Sequence, residues 1–170
     1  AGKTLLGGIC FGIHLACWIA SLSYTSVAMS VLLVNTTPIW VLVLGWALRQ
    51  SQPHRMTIIA AMVGFVGMII VAFGEPSGDT GTLGNALATL GGLTMAVYVM
   101  CASRAGGTNP LTYVRAVYVV AAVMICVATL VIPTEWSRIG GAGLGWILAM
   151  CVSSQIVGHT LVNVSARVLH

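Results

Sequence analysis

Six apolar runs, each close to the ~20 residues that carry a helix across a bilayer core, take up almost the whole chain. They cover residues 5–23, 26–48, 56–74, 83–103, 111–133 and 143–166. A soluble domain holds roughly 25% charged residues because its surface must face water. Here the charged fraction is 6%, seven basic and three acidic side chains in 170 residues, and the mean hydropathy is +1.01. So few charges cannot coat a globule, whereas a lipid-facing surface needs no coat. A secretory signal would explain one apolar run near the N-terminus, but these continue to the end of the chain. The expected fold class is an all-α integral membrane protein with six transmembrane helices, and its first partner is the lipid bilayer.

The breaks between runs are short and chemically distinct. Ser23-Tyr24-Thr25-Ser26 is the tightest and amounts to little more than a bend. Arg49-Gln50-Ser51-Gln52-Pro53-His54-Arg55 is polar and basic, and Gly74-Glu75-Pro76-Ser77-Gly78-Asp79-Thr80-Gly81 is acidic. Asn109-Pro110 reads as a helix N-cap followed by proline at the first helical position. With strict alternation, Lys3, Arg49, Arg55, Arg104, Arg115 and Arg167 share one side, and Glu75, Asp79, Glu135 and Arg138 share the other. Basic residues concentrate in cytoplasmic loops, so the first group marks the cytoplasm. Arg115, one turn inside its helix, can snorkel to that interface. The basic residues are dispersed singly, with no patch or basic helix face, which argues against a nucleic-acid partner.

Cys10, Cys17, Cys101, Cys126 and Cys151 form no C-x-x-C pair and no metal-ligand spacing, so they are expected to pack as small apolar residues. Neither a metal nor a cofactor is implied. Gly84, Ala88, Gly92 and Ala96 recur every fourth position on the fourth run, as do Gly8 and Gly12 on the first; such flat seams let membrane helices approach closely. The chain opens at Ala1 without a methionine and stops at His170 shortly after the last run, which suggests an incomplete protein.

Polar groups inside a membrane helix are costly and usually face the bundle interior. His14 and Trp18 lie one turn apart with Ser21 nearby. They form either a cavity wall for an amphipathic substrate or an interhelical hydrogen bond beside an interfacial aromatic. Gln155, His159 and Asn163 repeat every four residues on the last run, a polar stripe that suits a cavity lining. Asn35, Thr36, Thr37 and Pro38 fall mid-span. Proline removes a backbone hydrogen bond and clashes with the Val34 carbonyl, so a kink is expected there, with Pro38 as a candidate hinge. Thr94 and Tyr98 are a further pair, as readily packing as pocket. No Asp or Glu lies within a run, so proton coupling in these helices would fall to His14 or His159. A neutral, polar and aromatic pocket suits an amino acid or related amphipathic metabolite. No enzyme signature is present: Gly140-Gly141-Ala142-Gly143-Leu144-Gly145 lacks the Lys-Ser/Thr that holds phosphate, and there is no H-E-x-x-H or G-x-S-x-G.

The stretch His14-x3-Trp18-x2-Ser21-Leu22-x-Tyr24-Thr25-Ser26-Val27-Ala28, followed by Pro38, resembles the EamA branch of the drug/metabolite transporter superfamily, at that family's third and fourth helices. Gly78-Asp79-x3-Leu83-Gly84-Asn85-x-Leu87-Ala88 with Ala96-x-Tyr98 is similar to its sixth helix, and Gly158-His159-Thr160-Leu161-x-Asn163 to its eighth. After Asn163 the sequence departs from the family: Val164-Ser165-Ala166-Arg167-Val168 stands where a Trp-Ala-Leu-Arg-Tyr-like run is usual. The resemblance implies two inverted five-helix repeats in a ten-helix transporter bundle, of which this chain would supply helices three to eight. Residues 1–74 would then be the C-terminal part of the first repeat, 75–82 an extracytoplasmic linker and 83–170 the N-terminal part of the second. The His14-x3-Trp18 and His159-x3-Asn163 echo fits a site near the midplane between inverted repeats.

The expected function is export of a small metabolite by alternating access across a bacterial-type plasma membrane, with no enzyme activity. Substrate would contact His14, Trp18, Asn35, Tyr98, Gln155, His159 and Asn163. A second copy of the chain is a further candidate partner. The competing reading is a membrane structural or assembly subunit that transports nothing.

Overall fold

In a bilayer core every backbone amide must find its partner within the protein, and a helix does this within one segment. The computed structural model describes residues 2–49, 54–74, 81–105, 109–131, 140–158 and 161, and among these the apolar runs fall mainly on helices. These are α1 (Gly2–Ser21), α2 (Val27–Val34), α3 (Thr37–Ala47), α4 (Arg55–Gly74), α5 (Thr82–Ser103), α6 (Pro110–Val131) and α7 (Gly141–Met150), which continues as a π-helical segment, Cys151–Gly158. Among the described residues five stretches are long and apolar enough to cross a membrane: α1, α2 with α3, α5, α6, and α7 with its π-helical continuation. The apolar stretch Arg55–Ile70 of α4 is shorter.

Local chemistry sets the helix ends. Ser26 caps α2 by accepting the Met29 amide at 3.2 Å, the side-chain substitute for a missing intrahelical acceptor. Asn109 Oδ1 accepts the Leu111 amide at 2.9 Å, and Pro110 opens α6 as the sequence predicts. Arg49, just beyond α3, takes the left-handed backbone (φ 52°) that commonly ends a helix.

Two expected spans are reshaped. The second is broken into α2 and α3 at Asn35–Thr36, with Pro38 in the first turn of α3, so the kink is a full interruption. The last leaves the α form at Cys151. There the Ser153 hydroxyl bonds the Ala149 carbonyl at 2.8 Å, a back-bond that competes with the helical ladder.

The chain divides into two compact units, Cys10–Met100 and a second made of Ala1–Ile9 with Cys101–His170. In the second, Gly7 and Gly8 of α1 meet Tyr113, Val117 and Val120 of α6, and Tyr113, Val114, Val117 and Ala121 are buried. Lys3 Nζ donates to the Arg104 carbonyl at 3.2 Å, placing a cation on the C-terminal end of α5.

In the unit Cys10–Met100, α5 presents the seam read from the sequence: Gly84, Ala88, Gly92 and Ala96 are all buried. Gly84 lies against the backbone of Tyr24, and Gly92 against the carbonyls of Leu33 and Val34. Between α1 and α2, fully buried Ser21 and Ser30 share a 2.6 Å hydrogen bond. Ser21 spends its one hydroxyl proton on the Trp18 carbonyl at 2.6 Å, so Ser30 is the donor in the pair. Ser30→Ala is expected to cost about 0.6 kcal/mol, the mean for hydrogen bonds between membrane helices. An unfolding titration in mixed detergent micelles measures it, and a loss beyond about 2 kcal/mol would contradict the small role given to the pair.

Candidate functional site

The candidate residues of the unit Cys10–Met100 sit on three of its elements. On α1, Phe11, His14 and Trp18 follow i, i+3, i+7 spacing, which stacks side chains along one helix face. His14 lies 6.0 Å from Phe11 and 6.0 Å from Trp18, with near-parallel rings. Phe11 in turn packs on Tyr98 of α5 with ring centroids 4.9 Å apart. Three of the predicted residues (His14, Trp18 and Tyr98) are therefore linked in one aromatic column, through a phenylalanine that the sequence reading passed over. Its signal was the 11/14/18 spacing.

His14 is buried, and its Nδ1 lies 3.0 Å from the Gly91 carbonyl. A carbonyl only accepts, so Nδ1 carries the proton and Nε2 is the acceptor nitrogen of the neutral ring. Gly91 lies beside α1, where a Cβ would make ordinary contact with the His14 carbonyl oxygen at 3.5 Å. Trp18 Nε1 is buried and has no acceptor among the described residues. Buried donors are nearly always paired, and among the described residues this one has no partner. Thr94, offered with Tyr98 as a pair, turns its hydroxyl to Leu90 and Gly91 of its own helix.

Asn35 does not join the column. It is exposed, and its amide donates to the Val31 carbonyl one turn back at 2.8 Å. It belongs to the repair of the α2–α3 break. Pro38 has no N–H to offer, and hydroxyls serve the exposed carbonyls instead: Thr36 bonds Leu33 O at 2.6 Å, and Thr37 reaches Val34 O at 2.9 Å and Gly92 O at 3.2 Å. Beside the break, Pro38 and Ile39 face Ala60, Ala61, Gly64 and Met68 of α4 across a cleft of about 110 Å³.

The largest hollow of this unit among those described was not anticipated. Met29 and Leu33 of α2, Trp40 of α3, and Asn85, Ala86, Thr89, Leu90 and Leu93 of α5 frame a groove of about 520 Å³. Trp40 is held by a relay in which its Nε1 donates to Thr36 Oγ1 at 3.1 Å. Asn85 Oδ1 accepts the Thr25 hydroxyl at 2.8 Å, and Thr89 donates to the Asn85 carbonyl at 2.8 Å. Asn85 and Thr89 form an i, i+4 polar pair, legible in hindsight. Trp40 carries no such signal, since a tryptophan within an apolar run reads as lipid-facing.

Gln155 lies on the π-helical segment, and its side chain, like all of His159 and Asn163, falls outside the described residues. Among the described residues no group of His, Cys, Asp and Glu side chains could hold a metal ion.

Long apolar helices, with their polar side chains bonded to one another, define a multi-pass helical membrane protein. Residues 4–73, from α1 to α4, match the EamA-like transporter family. The match covers less than half of the chain and supports an EamA-type membrane transporter of the drug/metabolite superfamily. Comparison with curated proteins and comparison with solved structures each gave no match.

Proposed function

We propose that the protein exports a small amphipathic metabolite, such as an amino acid, across a plasma membrane by alternating access. Residues 1–74 and 83–170 would act as parts of two inverted repeats joined by the linker 75–82. Substrate would pass the column of His14, Trp18 and Tyr98, with Asn35 and Pro38 at the interruption; Gln155, His159 and Asn163 are proposed contacts on sequence grounds alone. Substrate would be moved when one segment pivots about Pro38.

The observation that carries this reading is the Trp18 indole N–H, a buried donor without an acceptor among the described residues. An unmet donor in a membrane helix works against folding, so a purely structural tryptophan gains nothing from it. A tryptophan that meets a substrate's acceptor during transport does. The absence of Asp and Glu from α1 to α7 favours a neutral or zwitterionic cargo.

Trp18→Phe separates the readings. It keeps the ring contact with His14 and removes only the N–H, so a structural role predicts unchanged or higher abundance. Efflux of radiolabelled L-leucine, L-threonine and L-tryptophan from cells expressing the whole protein is expected to fall at least about tenfold, the weight of one lost hydrogen bond to a charged group. Normal efflux per molecule would assign Trp18 to packing alone.

A further inference from the structure

We propose that the groove between α2–α3 and α5 is a binding site for a small neutral or zwitterionic amphipathic molecule, its polar end held by Asn85 and Thr89 and its apolar end against Trp40. The groove has a direction. Met29 and Asn85 lie in the first turns of α2 and α5, at the end that the charge pattern assigns to the extracytoplasmic side. From Asn85 to Leu93 is eight residues of helix, roughly 12 Å, so the groove runs from that end to about mid-span.

Polarity falls along the same line. At the outer end the Asn85 amide is oriented by Thr25, which donates to Oδ1 at 2.8 Å, and Nδ2 keeps its two hydrogens for an acceptor. The Thr89 hydroxyl proton is spent on the Asn85 carbonyl, so its lone pairs are what it can offer a donor. A carboxylate or carbonyl oxygen beside an ammonium or hydroxyl group meets both. Deeper in, Leu33, Leu90 and Leu93 are apolar. Trp40 lies with them, its N–H already satisfied by Thr36, so only the ring surface is offered. Among the described residues no charged side chain lines the groove.

A volume of about 520 Å³ lies within the ~300–1,000 Å³ of small-molecule pockets. The groove's length, about half of a ~30 Å core, suits a short apolar body better than a phospholipid chain. An unmet amide is also strongly disfavoured against hydrocarbon. The inference rests on the transport reading for why such a molecule should reach this depth.

The test uses the whole protein in membranes, carrying Ala86→Cys or Leu93→Cys, with the unsubstituted protein as background for its five native cysteines. A membrane-impermeant cationic methanethiosulfonate is added from the extracytoplasmic side, and Val63→Cys on exposed α4 is the lipid-facing control. Thiols at 86 and 93 are expected to react at least about tenfold faster than the control, since only a hydrated thiolate attacks the reagent's sulfur and displaces methanesulfinate. Millimolar L-leucine should slow both, and adding Asn85→Leu should abolish that protection. Rates equal to the control would mean that lipid or another helix fills the groove and would overturn the proposal. So would rapid labelling that L-leucine does not slow, or protection that survives Asn85→Leu. L-leucine protection without L-leucine efflux would count against transport and leave the site assigned. Efflux without protection would count against the groove alone.

Discussion

Gly84→Leu is expected to remove most of the folded protein, while the same substitution at Gly64 leaves its amount nearly unchanged. A Cβ on Gly84 would stand 2.6 Å from the Tyr24 carbonyl carbon, 2.7 Å from its oxygen and 2.7 Å from Thr25 Cβ. Two of those atoms are backbone and cannot rotate away. Relief requires α5 to retreat from the Leu22–Ser26 turn. That would break the Thr25–Asn85 hydrogen bond and the bond from the Gly81 amide to Tyr24 O at 3.1 Å. Overpacking typically costs about 1–3 kcal/mol, and the lost hydrogen bonds add about 0.6 kcal/mol each in a membrane. A Cβ on Gly64 of α4 meets nothing within 4 Å, so it controls for bulk and hydrophobicity. The monodisperse fraction after detergent extraction measures both, with a fall of more than about tenfold expected at position 84, each 1.4 kcal/mol being a factor of ten. Equal yields for the two variants would show that the α5 seam does not set the packing of this unit.

That seam was legible because its signal is one-dimensional. Gly84, Ala88, Gly92 and Ala96 recur at the helical repeat, and nothing but close approach favours a row of the smallest residues. The all-helical class and the start of α6 were legible for a related reason: lipid imposes span length, and a cap such as Asn109 acts within a turn of its own position. The candidate site was harder. His14 and Trp18 were found because polar groups in an apolar run stand out, yet their partners, the Gly91 carbonyl and the Phe11 ring, stand out in no way. Asn35 stands apart from the column because a polar side chain mid-span can bond its own helix, and here it bonds Val31 O. The groove around Trp40 depends on which faces of α2, α3 and α5 turn toward each other, and no single helix carries that information.

Pro38→Ala is expected to raise stability and lower transport together. In the wild-type protein the Val34 carbonyl takes a threonine hydroxyl because Pro38 has no N–H. Alanine restores a donor that can close the α2–α3 gap with a backbone hydrogen bond. The cost of proline relative to alanine is about 3 kcal/mol inside a helix but much smaller in a first turn, where Pro38 lies. The expected gain is therefore about 1 kcal/mol, read as a higher unfolding midpoint in mixed micelles. If the interruption is the pivot of alternating access, a continuous helix stiffens the motion that exposes the site. L-leucine efflux should then fall by about tenfold or more at unchanged protein abundance, as hinge changes in gated proteins do. The cleft beside the break makes the comparison sharper. Because Pro38 faces the small residues Ala60, Ala61 and Gly64, alanine at 38 removes no tightly packed contact. A stabilised variant with unimpaired efflux would make the break a packing feature and move the hinge elsewhere. A stabilised variant that no longer transports would tie the interruption at Asn35–Thr36 to function, since folding alone favours the continuous helix.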